Sequence, residues 1–160
     1  VLELGGSDPF VVLADADLEL AASLGVGARM RNAGQTCIAS KRFIVVEEVF
    51  DQFLDKIALG VRGLVVGDPL YRETQVGPLA REDLLLAIER QVRESVRLGA
   101  RVVVGGERLR RPGFFYAPTV LADVSPNMPV YREETFGPVA AVDRALDVED
   151  AVLLVTATPT

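Results

Sequence analysis

Apolar segments of two different periods alternate along this chain, and that alternation constrains the fold more than any other feature of the sequence. Short runs rich in β-branched residues, at 42–46 and 100–104, have the composition of strands. Longer segments, at about 16–31, 49–61 and 81–98, repeat apolar residues at the spacing of amphipathic helices. The order predicts an α/β domain with a mainly parallel sheet and flanking helices, whose functional residues we expect beyond the carboxyl ends of the strands.

Polar residues and glycines mark the expected ends of these helices. Asp15 stands where the N-cap of the first helix belongs, and Asn32-Ala-Gly34 should end it, since Asn and Gly adopt left-handed conformations at little cost. Gly99 is the expected C-cap of the third helix. Residues 10–13 predict another extended segment, and 147–155 a last helix. The apolar stripe predicted for the first helix is Leu18, Leu20, Ala21, Leu24, Ala28 and Met30.

Composition excludes several classes of protein. The 160 residues, 49% of them hydrophobic, suit one globular domain, and no apolar run approaches the roughly 20 residues that span a bilayer. The net charge of −6 and the scattered arginines argue against nucleic acid as a partner. A single cysteine cannot form an internal disulfide, and with no histidine it cannot build a Cys/His metal site. We therefore expect a cytoplasmic protein with neither a metal nor a membrane partner.

The lone cysteine is the strongest candidate for chemistry. The absence of histidine excludes hydrolases that need an imidazole base within this chain. Cys37 follows Gly34-Gln-Thr on a polar connection where backbone N–H groups can stabilise a thiolate, although a lone thiol is more often a small buried hydrophobe. Glu3 lies between two leucines before a Gly-Gly turn. It either faces solvent or is half-buried, and desolvation would then raise the pKa of such a carboxyl toward that of a general base.

Three segments together resemble the aldehyde dehydrogenase superfamily. Leu2-Glu-Leu-Gly-Gly6, Gly34-Gln-Thr-Cys37 and Glu133-Glu-Thr-Phe-Gly-Pro138 are similar, in order and spacing, to the signature segments of that family. The linking stretches Gln75-Val-Gly-Pro78 and Phe115-Tyr-Ala-Pro-Thr119 are similar as well. The resemblance covers nearly the whole chain.

The resemblance implies NAD(P)-dependent oxidation of an aldehyde to a carboxylic acid. Cys37 would attack the aldehyde carbonyl, the adduct would give hydride to NAD or NADP, and water activated by Glu3 would cleave the resulting thioester. In the family, the oxyanion donors are the backbone N–H at the nucleophile and an upstream Asn that lies outside this chain. Whether the cofactor is NAD or NADP stays open at this stage.

The resemblance also implies binding residues. Glu134 matches the position that holds the nicotinamide ribose hydroxyls, Phe136 packs near the nicotinamide ring, and the backbone of Leu4 and Gly5 lies against it. Without the resemblance, Glu134 would be read as part of an acidic turn at a strand end. A missing Cβ at Gly5 would allow close approach of a cofactor.

Arg31 points to one branch of the family. It matches an arginine that binds the substrate carboxylate in succinate-semialdehyde dehydrogenases, where a guanidinium can hold a carboxylate through two hydrogen bonds. The alternative is an arginine near a helix C-terminus that faces solvent. The segment Gly5-Gly-Ser-Asp-Pro-Phe10 also resembles this branch. Ala39 stands where some members carry a second cysteine, so a disulfide switch is not expected.

Compared with the family, residues 1–160 are expected to form a partial catalytic domain, truncated at both ends. The cofactor-binding domain and the oligomerisation strand of full-length members, which are homo-oligomers, have no counterpart here. We therefore expect the isolated chain to have negligible dehydrogenase activity. Two alternatives remain open, a non-catalytic folding or interaction module and a thiol esterase that uses Cys37 and Glu3 without a cofactor.

Overall fold

The computed structural model describes residues 5–156, which form five strands and five helices around one sheet. The strands are β1 Asp8–Val12, β2 Ser40–Val46, β3 Arg101–Val104, β4 Thr119–Ala122 and β5 Val139–Ala145. The helices are α1 Leu18–Met30, α2 Phe50–Arg62, α3 Glu82–Arg97, α4 Pro129–Arg132 and α5 Val148–Thr156, with 3-10 turns at Arg31–Gly34 and Glu47–Val49. In this described part no helix combines the length and the apolar character that crossing a bilayer requires.

The sheet confirms the predicted fold class. Its strand order is β1-β2-β5-β4-β3, and all neighbours are parallel except the edge pair β3 and β4. Its central strand, β5, was not among the predicted strands, and the antiparallel edge was not predicted either. β5 is buried almost throughout, so it shows no alternation of apolar and polar residues, and its only signal is the apolar run 139–142.

Helix α1 begins later than predicted and buries a different face. Its N-cap is Asp17, whose side chain accepts a hydrogen bond from the Leu20 backbone N–H at 3.1 Å, and not Asp15. Leu20 and Leu24, two members of the predicted apolar stripe, are more than half exposed. The buried residues of α1 are Ala22, Gly25, Arg29 and Met30.

Close packing explains why small residues form the buried face of α1. A Cβ added to Gly25 would lie 2.8 Å from the ring of Phe43 on β2, and one added to Gly60 on α2 would lie 2.9 Å from Val26. The glycines therefore let α1 approach both the sheet and α2 more closely than side chains would allow. Leucines on that face would have no room.

Helices α2 and α3 follow their predicted patterns closely. The buried face of α2 contains Phe50, Phe53, Leu54, Ile57 and Val61, whereas Leu59 is exposed. On α3, Ile88 and Val92 are buried and Val96 is 40% exposed. The C-cap of α3 is Leu98 and not Gly99, which follows it with a φ of +115°.

The amino ends of the parallel strands meet at one edge of the sheet, and the family-like segments lie there. Gly5–Ser7 leads into β1, Cys37 precedes β2, and 133–138 precedes β5. The expectation that the functional residues lie beyond the carboxyl ends of the strands is therefore wrong for this chain. At the carboxyl ends, β2 and β5 continue almost directly into helical turns, which close that edge.

Candidate active site

Cys37 lies in a turn between the end of α1 and the start of β2. The Ala39 N–H donates to the Thr36 carbonyl at 3.1 Å, which closes the turn around the cysteine. Cys37 is exposed, as is Ile38 beside it. The prediction that Cys37 stands on a short connection is confirmed, and its exposure is that of an accessible thiol and not of a core residue.

Three consecutive left-handed residues turn the chain from α1 toward Cys37. Asn32, Ala33 and Gly34 have φ angles of 52°, 54° and 75°. At Gly34 the approach of a second segment is more restrictive than the angle, because an added Cβ would lie 2.1 Å from the Gly137 carbonyl oxygen. Gly34 thus brings the Cys37 segment into direct contact with the segment around Glu134.

Arg29 connects these two segments through hydrogen bonds to main-chain carbonyls of both. Its Nη2 donates to the carbonyls of Gly34 at 3.1 Å and Thr135 at 2.8 Å, and also to the carbonyl of Gly137. The side chain is fully buried. Burial lowers the pKa of Arg29 to about 10, and the negative charge of Glu134 offsets part of that effect.

Gln35 ties the Cys37 segment to the loop before α3. Its side-chain carbonyl accepts a hydrogen bond from the Ala80 N–H at 2.8 Å, and its amide donates to the Asn32 carbonyl at 3.0 Å. The Asn32 amide in turn donates to the Gln35 carbonyl at 3.0 Å. These bonds fix the strained turn whose end positions Cys37.

Lys41 and Arg42, the second and third residues of β2, carry two more buried cations toward this edge. The Lys41 ammonium donates to the Cys37 carbonyl at 2.8 Å and lies 3.3 Å from Glu134 Oε1. Arg42 Nε donates to the Ser7 carbonyl at 3.1 Å, just before β1, and its guanidinium lies 5.0 Å from the centre of the Tyr131 ring. Together with Arg29, these side chains hold the segments that precede β1, β2 and β5 through hydrogen bonds from charged groups to main-chain oxygens.

Glu134 lies near both Phe136 and Gly5, the other predicted cofactor residues that the structure describes. Glu134 and Phe136 line one open cavity of about 710 Å³, together with Asn32 and Gln35. A Cβ added to Gly5, whose φ is +77°, would lie 3.0 Å from Glu134 Oε2. The glycine therefore leaves space beside a carboxylate whose side chain is 27% exposed.

Arg31 lines a second open cavity of about 380 Å³, with Thr36, Ile38 and Ala39. It is exposed, and no acidic side chain within residues 5–156 forms an ion pair with it. The chain around Cys37 thus borders both cavities, because Gln35 lines the one with Glu134 and Phe136.

Glu3 and Leu4 lie outside the residues that the structure describes, so their predicted roles stay predictions. Gly6, the second described residue of the chain, lies against the Cys37 turn, since an added Cβ there would lie 3.5 Å from the Cys37 carbonyl oxygen. The segment that leads away from Glu3 therefore passes directly against the Cys37 turn.

Sequence reasoning did not identify Arg29, Lys41 or Arg42 as parts of this site. A signal was available, because Lys41-Arg42 lies near the start of a strand that is otherwise largely apolar and Arg29 stands in the last turn of α1. What the sequence does not show is that their acceptors are main-chain oxygens, some of them more than 100 residues away.

Comparisons with known proteins agree with the arrangement. The model of the aldehyde dehydrogenase family matches residues 1–160. Succinate-semialdehyde dehydrogenase [NADP(+)] 1 of Mycobacterium tuberculosis is 50% identical over 158 residues, which are 99% of this chain and 35% of the relative. The corresponding protein of Mycobacterium leprae is 46% identical over 159 residues.

Solved structures that superpose on this chain are also dehydrogenases. Succinate-semialdehyde dehydrogenase from Burkholderia pseudomallei superposes with a TM-score of 0.95 at 40% identity, over 99% of this chain and 33% of that one. A 3,6-anhydro-L-galactose dehydrogenase in complex with NAP superposes with a TM-score of 0.94 at 36% identity, over 98% and 34%. This chain spans about a third of the length of these relatives.

Proposed function

Because this chain belongs to the aldehyde dehydrogenase family, we propose that it forms the catalytic part of an NADP-dependent enzyme that oxidises succinic semialdehyde. One observation carries the proposal. The segment that carries the exposed Cys37 borders two open cavities, through Thr36, Ile38 and Ala39 the one lined by Arg31 and through Gln35 the one lined by Glu134 and Phe136. A nucleophile between a substrate site and a cofactor site is what aldehyde oxidation requires.

Cys37 performs the first step. Its thiolate sulfur bonds to the aldehyde carbon, and the carbonyl electron pair moves onto oxygen to give a tetrahedral hemithioacetal anion. Backbone N–H groups of the Cys37 turn are the donors in this chain that suit the developing oxyanion. Exposure of Cys37 supports this role, because the thiol reaches a substrate without any movement of core residues.

Glu134, Phe136, Gly5 and Leu4 are proposed to hold the nicotinamide end of the cofactor. The residues present fit that group, because Glu134 Oε1 accepts no hydrogen bond from any of residues 5–156 and Gly5 keeps the space beside Oε2 open. A carboxylate in this state can accept from both hydroxyls of a ribose. When bound, the nicotinamide supplies the acceptor for the hydride that leaves the former aldehyde carbon. The names of the mycobacterial relatives include NADP(+), which supports NADP rather than NAD in this proposal.

Glu3 is proposed as the base for the last step. It takes a proton from water, the water oxygen bonds to the acyl carbon, and the carbon–sulfur bond breaks to return the Cys37 thiolate and release the carboxylic acid. The support is indirect, since Gly6 lies against the Cys37 turn and Glu3 is three residues before it. Three residues of extended chain reach about 10 Å at most.

Arg31 is proposed to bind the carboxylate at the far end of the substrate. Arg31 lines the cavity beside Thr36 and Ala39, six residues before Cys37 in the chain, and no ion pair to it is formed within residues 5–156. An unpaired guanidinium can hold a carboxylate bidentately. The names of the mycobacterial relatives, with which the chain shares about half of its residues, support the same substrate.

The 160-residue chain on its own is proposed to have negligible dehydrogenase activity. All the cofactor contacts assigned above belong to the nicotinamide end, and most of the binding energy of a dinucleotide comes from its phosphates and adenosine. Measurable reduction of NADP+ by the isolated chain with succinic semialdehyde would contradict this statement.

The experiment uses a chimera in which this chain replaces the matched segment of the Mycobacterium tuberculosis relative. We expect the chimera to reduce NADP+ with succinic semialdehyde and Cys37→Ala to abolish the reaction. Arg31→Met should raise KM for succinic semialdehyde about tenfold or more while leaving KM for pentanal, a neutral aldehyde, nearly unchanged, because only the first substrate loses a charged hydrogen bond.

Two results would contradict the proposal. Activity that survives Cys37→Ala would remove the nucleophile, and an equal change of both KM values in Arg31→Met would remove the carboxylate contact. Arg101→Met, which breaks an exposed ion pair with Asp123 between β3 and β4, is the control for loss of a surface cation.

A further inference from the structure

Lys41 is surrounded by acceptors from the turn that carries Cys37. Its ammonium donates to the Cys37 carbonyl at 2.8 Å and to the Thr36 and Ala39 carbonyls at 3.4 and 3.5 Å. The side chain is fully buried although its residue is the second of a strand that lies in the core. One ammonium thus fixes three main-chain oxygens of residues 36–39 around the candidate nucleophile.

Stability alone does not explain a lysine at this position. A buried ammonium loses its hydration, and an apolar side chain of similar size would avoid that loss. The neighbouring residues of β2, from Phe43 to Val46, are apolar and fully buried in the same way. The reason for the cation must therefore lie in what it contacts.

Glu134 is the other contact of Lys41. Its Oε1 lies 3.3 Å from the ammonium, within ion-pair distance but outside hydrogen-bond geometry. Glu134 is also partly exposed to the 710 Å³ cavity and can accept donors from a ligand there. The charge of Glu134 and the carbonyls of the Cys37 turn therefore compete for the same three N–H groups.

We infer that Lys41 is a positioning residue that couples the state of Glu134 to the conformation of the Cys37 turn. Where a ligand donates hydrogen bonds to Glu134, the ammonium is drawn less toward the carboxylate and binds the Cys37, Thr36 and Ala39 carbonyls more firmly. The turn then holds the sulfur in a narrower range of positions. That the ligand is the cofactor rests on the proposed function, but the coupling between Glu134 and the turn does not.

A double-mutant cycle in the 160-residue chain tests the coupling without any cofactor. The rate at which iodoacetamide alkylates Cys37 is measured in the parent, in Lys41→Met, in Glu134→Gln and in the double variant. Glu134→Gln removes the charge but keeps the shape, so it should change the rate in the parent and leave it nearly unchanged in Lys41→Met. We expect a non-additive effect of roughly threefold or more.

Matched controls separate coupling from loss of structure. Lys56→Met removes a lysine of an exposed ion pair and should leave the effect of Glu134→Gln intact. Lys41→Arg keeps the charge and should restore part of the non-additivity. Should Lys41→Met lose the circular dichroism of the parent, the cycle is run with Lys41→Gln, whose amide still donates to carbonyls without a charge.

The outcomes decide between the inference and the proposed function separately. Additive effects of Lys41→Met and Glu134→Gln on alkylation overturn the inference, whatever the chimera does. In the chimera, NADP+ should also change the alkylation rate, and this change should disappear in Lys41→Met. A non-additive cycle combined with no effect of NADP+ on the parent chimera supports the role of Lys41 and counts against the proposed cofactor.

Discussion

The cationic side chains at the two ends of the parallel strands differ in burial, since those at the amino ends are buried and Arg144 at the carboxyl ends lies at the surface. At the amino ends, Arg29, Lys41 and Arg42 are buried and donate mainly to main-chain carbonyls of the segments that precede β1, β2 and β5. At the carboxyl ends, Arg144 pairs at the surface with Glu47 at 2.8 Å and Asp51 at 3.1 Å. Both ends therefore have charged side chains, but the cations are fully buried only at the amino ends.

The difference indicates where the chain requires a fixed main-chain geometry. Exposed ion pairs contribute little and tolerate small shifts of their partners, whereas a buried cation loses its hydration unless each acceptor is well placed. The buried set therefore specifies one arrangement of the Gly34–Cys37 and Glu134–Gly137 segments. The candidate site lies at the edge where the arrangement is specified and not at the edge where surface charges close the sheet.

Gly34→Ala should have the largest effect, because it separates the two segments at the amino edge. The added Cβ would lie 2.1 Å from a backbone oxygen of Gly137, at a residue with φ of 75°. We expect a loss of about 4 kcal/mol or more in the free energy of unfolding, measured by chemical denaturation. Gly27→Ala on α1 meets no atom within 4 Å and should be neutral or stabilising by up to about 1 kcal/mol. Equal effects of the two substitutions would contradict the close contact.

Arg29→Met against Arg144→Met compares the two edges directly. Loss of the Arg29 guanidinium removes the side-chain donor from the buried carbonyls of Gly34 and Thr135, whereas Gly137 keeps the Val139 N–H, so we expect a loss of about 3 kcal/mol in the free energy of unfolding. Arg144→Met removes exposed ion pairs and should cost about 1 kcal/mol or less. If the Arg144 variant lost as much stability as the Arg29 variant, the distinction between the edges would fail.

Asp143, on β5 toward the carboxyl edge, is a buried charge without the partners that the amino-edge cations have. Burial raises its pKa to about 6, from an ordinary value near 3.8, and Oδ2 has no hydrogen-bond partner in residues 5–156. The folded chain keeps this proton at a pH where the unfolded chain has lost it. Stability contributed by the protonated form is therefore lost as the pH rises from about 4 to about 6.

Asp143→Asn should remove this pH dependence. We expect the variant to be more stable than the parent by about 1 to 2 kcal/mol at pH 8 and to show no advantage at pH 4. Denaturation curves at the two pH values measure it, with the exposed Asp55→Asn as the control. An advantage that is the same at both pH values would show that the carboxyl group of Asp143 is not the cause.

Local patterns in the sequence predicted where the helices lie better than they predicted which residues of a helix are buried. Helices α2 and α3 and the connection that carries Cys37 were predicted because their signals are local, in apolar periodicity and turn residues. The buried face of α1 was predicted wrongly, because Gly25 of α1 packs against Phe43 and Gly60 of α2 packs against Val26, which leaves no room for leucines there. Where the neighbouring element approaches this closely, only glycine, whose side chain is a hydrogen atom, fits between the two elements.

A different reason explains why the sequence did not predict the buried cations or the position of the candidate site at the amino ends of the strands. Arg29 donates to Thr135, 106 residues away, and the register that brings them together depends on β5, whose central position has no local signal. The family-like segments identified Cys37, Glu134 and Phe136 without giving their geometry. The part played by Lys41 follows from three carbonyl oxygens, and carbonyls leave no trace in a sequence.

The central claim is that the sulfur of Cys37, at the amino edge, carries the acyl group from which the acid is released. The most direct measurement uses the chimera with Glu3→Gln, mixed with succinic semialdehyde and NADP+, quenched in acid and mapped by peptide mass spectrometry. The account predicts a succinyl thioester on the peptide that contains Cys37, formed together with about one equivalent of NADPH and then persisting. NADPH formation with no acyl group on Cys37, or with the acyl group on another residue, would contradict it.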